Sequence, residues 1–193
     1  MAGQVDEFAG VKLPRSPVYG TKGMVVSGHS LASQSGLRML ERGGSVVDAM
    51  ISTSAVLCTV LPHATSFGGD AFILHHDSAS KKTQGLNASG YAPAGATPEY
   101  FKDGMTAHGA NAASVPGIVR GWERLHEKHG KMPWNDLFAD AIDLAENGHP
   151  VSRILTSALR LFDHIGKDPG CAALYIPDGI PMNPGDILSL IHI

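Results

Sequence analysis

Polar and apolar positions along this chain follow two periods, and the sharpest signal is a run that follows neither. From Val46 to about Val60 nearly every side chain is apolar or small. A helix that is apolar almost all round packs on more than one side, so this run predicts a central, buried helix. Ser45 followed by Asp48 opens it as a capping box, with a carboxylate at the positive end of the helix dipole. Upstream, Gly23-Met24-Val25-Val26-Ser27 predicts a short strand. Ser30 is placed to cap a helix with Ala32, Gly36, Met39 and Leu40 on its inner face, stopped by Gly43-Gly44. Downstream, Ala71–His76 and Thr83–Ala88 are two strand-like runs joined by the polar turn Asp77–Lys82, an antiparallel hairpin. The hairpin is expected to rank next to the Val46–Val60 helix in burial.

The second half takes the helical period. Pro116, Val119, Trp122, Leu125 and Gly130 outline one helix from start to stop. Pro133 opens another, with Trp134, Leu137, Phe138, Ala141, Ile142 and Ala145 at i, i+3, i+4 spacing and Gly148 after its end. Ser152 starts a third, with Leu155, Ala158, Leu159 and Phe162 on one face. No repeats and no low-complexity tract interrupt these elements.

Between the central helix and the hairpin lies Pro62-His63-Ala64-Thr65-Ser66-Phe67-Gly68-Gly69-Asp70. Gly68-Gly69 allow a backbone path that residues carrying a Cβ would resist. Such a turn brings main-chain amides close to whatever lies opposite, a ligand or another strand. Residues 1–22, with Pro14 and Pro17, read as an extended arm ahead of the globular part.

Composition narrows the function classes. In 193 residues, 43% are hydrophobic and 17% charged, enough for a substantial core in one domain. The formal charge of -3 is spread without a basic stripe, which argues against nucleic acid or an acidic membrane surface as partner. The longest apolar stretch, Ala49–Leu61, is too short to span a bilayer, and the N-terminus lacks the pattern of a secretion signal, so a cytoplasmic location is expected. Cys58 and Cys171 stand far apart with no pairing pattern.

Local chemistry alone does not identify an enzyme. Among ten histidines, His75 and His76 are adjacent on a strand and point to opposite faces, so they do not share an ion with His63. His126 and His129 share a helix face at i, i+3 but have no evident third ligand. There is no Gly-x-Ser-x-Gly elbow, phosphate loop or dinucleotide fingerprint.

Taken in order, however, the short motifs resemble one family. Gly23-Met24-Val25-Val26, Leu31–Leu37, Gly43–Ala49, Pro62-His63 leading into Gly68-Gly69-Asp70-Ala71-Phe72, Ser114-Val115-Pro116-Gly117, Gly130-Lys131-Met132-Pro133-Trp134, Ala141–Gly148 and Gly185-Asp186 look like the start of a γ-glutamyltransferase large subunit. The resemblance covers about residues 20 to 187. It implies an α+β, N-terminal-nucleophile hydrolase fold, an αββα sandwich of which this chain supplies an incomplete N-terminal portion, residues 23–188, followed by an off-pattern tail at 189–193. It also implies a proenzyme that cuts itself before a threonine, whose hydroxyl then attacks an amide with its own α-amine as base. The expected partners are a small-molecule amide substrate and the missing small subunit of the same proenzyme. No cofactor and no metal is implied.

Two departures from the family pattern matter. The family's Thr-Thr-His-type nucleophile segment has no counterpart here: Thr21, Thr53, Thr59, Thr65, Thr83, Thr97, Thr106 and Thr156 all stand in other contexts. No catalytic residue is therefore assigned, and the chain is expected to be an inactive, truncated segment that by itself leaves an apolar sheet face uncovered. Secondly, better-known members carry an arginine in an Asp-x-Arg-Glu-x-Ala-Pro segment, where its guanidinium forks onto the α-carboxylate of the γ-glutamyl group. Here the stretch reads Asn87-Ala88-Ser89-Gly90-Tyr91-Ala92-Pro93, with Ser89 at the arginine's place. Losing that contact costs about 1.5–3 kcal/mol of binding. The Asn-x-Ser-Gly form, with Gly-Gly-Asp before it, resembles the branch of oxamate amidohydrolases and acylase-like enzymes. Asn87, Ser89 and Gly90 are thus the expected substrate-binding residues, with Gly68, Gly69 and Asp70 as a supporting turn behind them. Three functions stay open: a γ-glutamyl amide hydrolase or transferase, an enzyme of the same fold on another acid amide, and a non-catalytic fragment.

Overall fold

The computed structural model describes residues 17–191. The first sixteen residues of the expected arm, and the last two of the expected tail, lie outside the described residues. Helix α1 spans Ser30–Glu41, α2 Val46–Val60, α3 Ile118–His129, α4 Ala139–Glu146, α5 Arg153–Leu161 and α6 Pro169–Tyr175. Strands β1 (Phe72–Asp77) and β2 (Lys82–Asn87) form an antiparallel hairpin, and β3 (His149–Pro150) pairs antiparallel with β4 (Ile187–Leu188).

The core is built around α2, as its all-round apolar sequence dictates. Eleven of its fifteen residues are buried. Ile51, Ala55, Val56 and Val60 pack with Ala32 and Met39 of α1, Ile118, Trp122 and Leu125 of α3, and Leu137 and Ala141 at and after the 3-10 turn Trp134–Phe138. The capping box forms in both directions: the Ser45 amide donates to Asp48 Oδ2 at 2.7 Å, and the Asp48 amide donates to Ser45 Oγ at 3.1 Å. Asp48 is wholly buried and does more than cap. Its carboxylate also accepts the main-chain amides of Lys131 (3.0 Å) and Met132 (3.2 Å), which fastens the start of α2 to the Gly130-Lys131-Met132 turn after α3. His126 closes the same junction, with Nε2 2.8 Å from the Met132 carbonyl.

Helix α1 ends as its glycines predict. Gly44 donates to the Met39 carbonyl at 2.8 Å and Gly43, at φ +88°, donates to Leu40 at 3.0 Å, the paired bonds of a Schellman stop. A buried polar relay then ties three helices: Ser52 of α2 and Ser35 of α1 sit 2.6 Å apart, and the Ser35 hydroxyl donates to Asp140 of α4 at 2.6 Å. Arg38 reaches the same Asp140 oxygen at 2.8 Å.

Several expectations need correction. His29, not Ser30, caps α1, its Nδ1 accepting the Leu31 amide at 3.2 Å; Ser30 is already helical. Gly23–Ser27 forms no strand, because among the described residues no other strand lies alongside to satisfy its main chain; Val25 packs on the core instead. The hairpin forms, with Phe72 opposite Asn87 and with Asp77 and Lys82, expected in the turn, paired as its last strand residues, but it is not deeply buried. Ile73 and Leu86 rest on the core while Phe72 (77% exposed) and Leu74 (81%) on the other face point outward. Ile142 also points out of α4, and Phe162 is the residue after α5 rather than part of its buried face.

The chain from β3 onward forms a second, smaller core in which Val151 and, on α5, Leu155 and Leu159 pack with Leu188 of β4. Ser152 caps α5 as expected, accepting the Leu155 amide at 3.1 Å. The short helix α6 is an element the hydrophobic period does not reveal, although Asp168 caps it and Pro169 occupies its first position.

Candidate functional site

Three segments far apart in sequence converge on one carboxylate. Asp70 follows the Gly68-Gly69 turn and precedes β1; Asn87 ends β2; Ser114 precedes α3. The Ser114 hydroxyl donates to Asp70 Oδ2 at 2.8 Å, and the Gly90 amide donates to Asp70 Oδ1 at 3.3 Å. Next to it, the Gly69 carbonyl accepts the amides of both Gly117 and Ile118 at 3.1 Å, so the start of α3 is held by the same turn. The Ser114 hydroxyl above all, helped by the Gly90 amide and the Ser89 hydroxyl, holds the Asp70 carboxyl below the ordinary aspartate value against an opposing desolvation cost. Asp70 is therefore ionised at neutral pH and acts as a fixed acceptor.

The loop it holds has its own local order. Asn87 Oδ1 accepts the Ser89 amide at 2.9 Å, an Asx turn that carries the chain out of β2. Ala71 and Ala88 extend the hairpin by one more pair, with the Ala88 amide 2.8 Å from the Ala71 carbonyl. The structure thus brings Asp70, Asn87, Ser89 and Gly90 together and leaves Gly68 and Gly69 one step behind.

The need for glycine lies elsewhere than expected. Neither Gly68 nor Gly69 has positive φ, and a Cβ on Gly68 would meet nothing nearer than Ser66 Oγ at 3.8 Å. The constraint falls on Gly90, Gly117 and Gly121, where the strand leaving the hairpin crosses the start of α3. A Cβ on Gly90 would overlap the Val115 carbonyl, and one on Gly117 the Ala88 carbonyl. One on Gly121 would strike the Ala88 side chain. Sequence reading placed Ser114-Val115-Pro116-Gly117 among the motifs but gave it no site role; a contact across 44 residues has no local signature.

A cavity of about 470 Å³ opens at this crossing, walled by Ala92, Tyr100, Phe101, Met105 and Asn111 and reaching Ser114. Asn87, Ser89 and Gly90 do not line it; the loop enters its wall two residues further on, at Ala92. The histidines go separate ways. His75 stacks on His129 with ring centroids 4.2 Å apart, and His76 Nδ1 lies 2.9 Å from Thr83 Oγ1. His63 lines a distinct cavity with His108, His164, Asp168 and Cys171. Among the described residues no group of three or more His, Cys, Asp or Glu side chains is arranged to hold a metal ion, and both cysteines are free. No helix among them is long and apolar enough to cross a membrane.

The family model of gamma-glutamyltranspeptidase matches residues 32–191. The chain belongs to the gamma-glutamyltranspeptidase family. It is 40% identical over 138 residues to the glutathione hydrolase-like YwrD proenzyme of Bacillus subtilis (strain 168), covering 70% of this chain and 26% of that protein. It is 30% identical over 197 residues to the acylase ACY 1 proenzyme of Pseudomonas sp. (strain SE83), covering 94% of this chain and 35% of that one. The crystal structure of Helicobacter pylori gamma-glutamyltranspeptidase superposes with a TM-score of 0.83 at 28% identity, covering 90% of this chain and 52% of that chain. The chain thus matches between about a quarter and about a third of the length of these curated relatives. Its fold is the mixed helix-and-strand N-terminal portion of the N-terminal-nucleophile hydrolase architecture of this family.

Proposed function

We propose that the chain is the N-terminal, large-subunit part of a gamma-glutamyltranspeptidase-family amide hydrolase or acyl transferase, and that the loop Asn87–Gly90 binds the acyl end of its substrate. The observation that carries this reading is the meeting of the family's three spaced motifs on Asp70. A loop fixed at both ends by a close backbone crossing is a precise support for a small molecule.

The nucleophilic threonine belongs to the remaining length of the protein. In support, Thr53, Thr59 and Thr156 are buried within helices, and Thr83 is engaged with His76. In the full enzyme that threonine's hydroxyl attacks the amide carbon, its proton passing through the α-amine to the departing amine as the C–N bond breaks. Water then cleaves the ester and releases the acid, or an amine takes the acyl group. The small subunit carrying the threonine is the expected partner. It also supplies a natural cover for the exposed Phe72–Leu74 face of the hairpin.

Glutathione and other γ-glutamyl compounds are the first substrate class to test. A second class, other acid amides of the oxamate or acylase kind, is favoured by Ser89 standing where the carboxylate-binding arginine is expected, and by the similarity to an acylase proenzyme. The test is to express the reading frame extended past Ile193. Self-cleavage is followed by mass spectrometry, and p-nitroaniline release from γ-glutamyl and phenylacetyl anilides is measured. Cleaved subunits with release from either anilide support the proposal. An extended protein that neither cuts itself nor releases p-nitroaniline is a non-catalytic module, and the proposal fails.

A further inference from the structure

We infer that the cavity beside the Asp70–Ser114 contact receives an uncharged, apolar acyl end of up to aromatic size, which makes this an acylase-type site rather than a γ-glutamyl one. The inference rests on the reading of the Asn87–Gly90 loop as acyl-binding and specifies what that acyl group is.

Position comes first. The cavity reaches Ser114, whose hydroxyl shares Asp70 with the Gly90 amide, and its wall begins at Ala92, two residues past Gly90. A substrate whose carbonyl lies over the loop therefore has this space as the nearest place for the rest of its acyl group. At about 470 Å³ the cavity falls in the usual range for small-molecule sites.

Its chemistry is one-sided. Apart from Tyr100, Asn111 and Ser114 the lining side chains are alanine, proline, phenylalanine and methionine, with one glycine, and none carries a charge. The polar groups are partly engaged: the Tyr100 hydroxyl donates to Asn111 Oδ1 at 3.1 Å, and Ser114 donates to Asp70. A γ-glutamyl end brings an ammonium and a carboxylate, and no side chain of this lining carries a charge that would pair with either, so moving them here from water gains them little. Asp70, reached through Ser114, repels the carboxylate and attracts the ammonium, so its charge does not favour the zwitterion as a whole. An aromatic or aliphatic end meets instead the Tyr100 and Phe101 rings, themselves packed edge to face at 4.9 Å, and the adaptable Met105 side chain.

The experiment measures binding without turnover, so its outcome is independent of whether the extended protein is active. The 193-residue chain is titrated with phenylacetamide and with L-glutamine, binding being followed by ligand-observed NMR. Phenylacetamide is expected to bind saturably and at least about tenfold more tightly than L-glutamine. Ala112→Trp, an exposed alanine of the cavity wall, should fill the space and weaken phenylacetamide about tenfold. Tyr100→Ala, which strips the wall from the other side, should weaken it as well. Circular dichroism checks that each variant stays folded, and either one that does decides the question. L-glutamine binding as tightly as phenylacetamide, or folded variants that leave phenylacetamide affinity unchanged, overturns the inference. A chain that binds phenylacetamide as described, while its extended form releases no p-nitroaniline, keeps the cavity assignment and overturns only the enzymatic reading.

Discussion

The Ser114 hydroxyl lies 2.8 Å from Asp70 Oδ2, although 44 residues separate the two in sequence. With the Gly90 amide on the other oxygen, this single carboxylate sets the spacing between the hairpin's exit and the approach to α3. An acceptor used in this way has to stay ionised, and its surroundings ensure that it does.

The pH dependence follows from that. The Asp70 pKa is held below the ordinary aspartate value, first by Ser114 and then by Gly90 and Ser89. A depressed carboxylate contributes order that is fully present above the unfolded value, near 3.9, and is lost as pH falls through the lower folded value. An NMR titration of the Gly90 amide should therefore show a midpoint below about 3.9, and Ser114→Ala should raise it. A midpoint that Ser114→Ala leaves unmoved would show that the hydroxyl is not the main cause.

Asp48 should be the most sensitive polar residue in the core. It is fully buried and accepts the amides of Ser45, Lys131 and Met132. Asp48→Ala strands all three donors and is expected to destabilise by about 3–4 kcal/mol. Asp48→Asn keeps one acceptor oxygen and should cost about half as much. Urea midpoints of the two variants test the order; equal losses would mean that the amide contacts do not carry the effect.

Glycine substitutions should separate the crossing from the turn. Gly90→Ala and Gly117→Ala drive a methyl into the Val115 and Ala88 carbonyls, and each is expected to cost about 2 kcal/mol or more. Gly68→Ala meets open space at a φ that is not positive and should be neutral, or stabilising by up to about 1 kcal/mol. Thermal melts of the three variants suffice. A Gly68→Ala loss as large as that of Gly90→Ala would restore the Gly68-Gly69 turn as the constrained element.

Placing the family's arginine back at position 89 should succeed only with help. The Ser89 hydroxyl is among the groups acting on Asp70, so an arginine there has a carboxylate beside it to pair with before any substrate arrives. In the extended protein, Ser89→Arg alone should improve KM for a γ-glutamyl anilide by less than about tenfold. Combining it with Asp70→Asn should bring the gain to about tenfold to a hundredfold, equivalent to 1.4–3 kcal/mol. Equal KM values for the single and double variants would remove Asp70 from this account.

What the sequence makes legible is whatever its neighbours in the chain decide. The Ser45–Asp48 box, the Gly43-Gly44 stop and the hairpin rest on contacts within a few residues, the buried α2 on an apolar pattern that needs no named partner, and all appear as read. Gly23–Ser27 and the hairpin's exposed face differ from expectation for related reasons: β propensity names residues suited to a sheet, but a partner strand is needed to form one and a layer packed over it is needed to bury its face. The loop at Asn87–Gly90 was legible through its likeness to a family. Its attachment was not, because Gly90 and Ser114 both reaching Asp70 are facts of tertiary packing.

The crossing at Gly90 and Gly117 has a bearing on how such a protein can change over generations. Position 90 admits no side chain, and it fixes the main chain on either side, so the backbone path is indifferent to what stands at 89. One codon can then exchange a small hydroxyl for a long cation, or the reverse, while the frame around it stays as it was. A lineage built on this crossing can trade one class of acid for another in a few steps, and the record of that trade would be written at 89 and 70 while 90 and 117 stay silent.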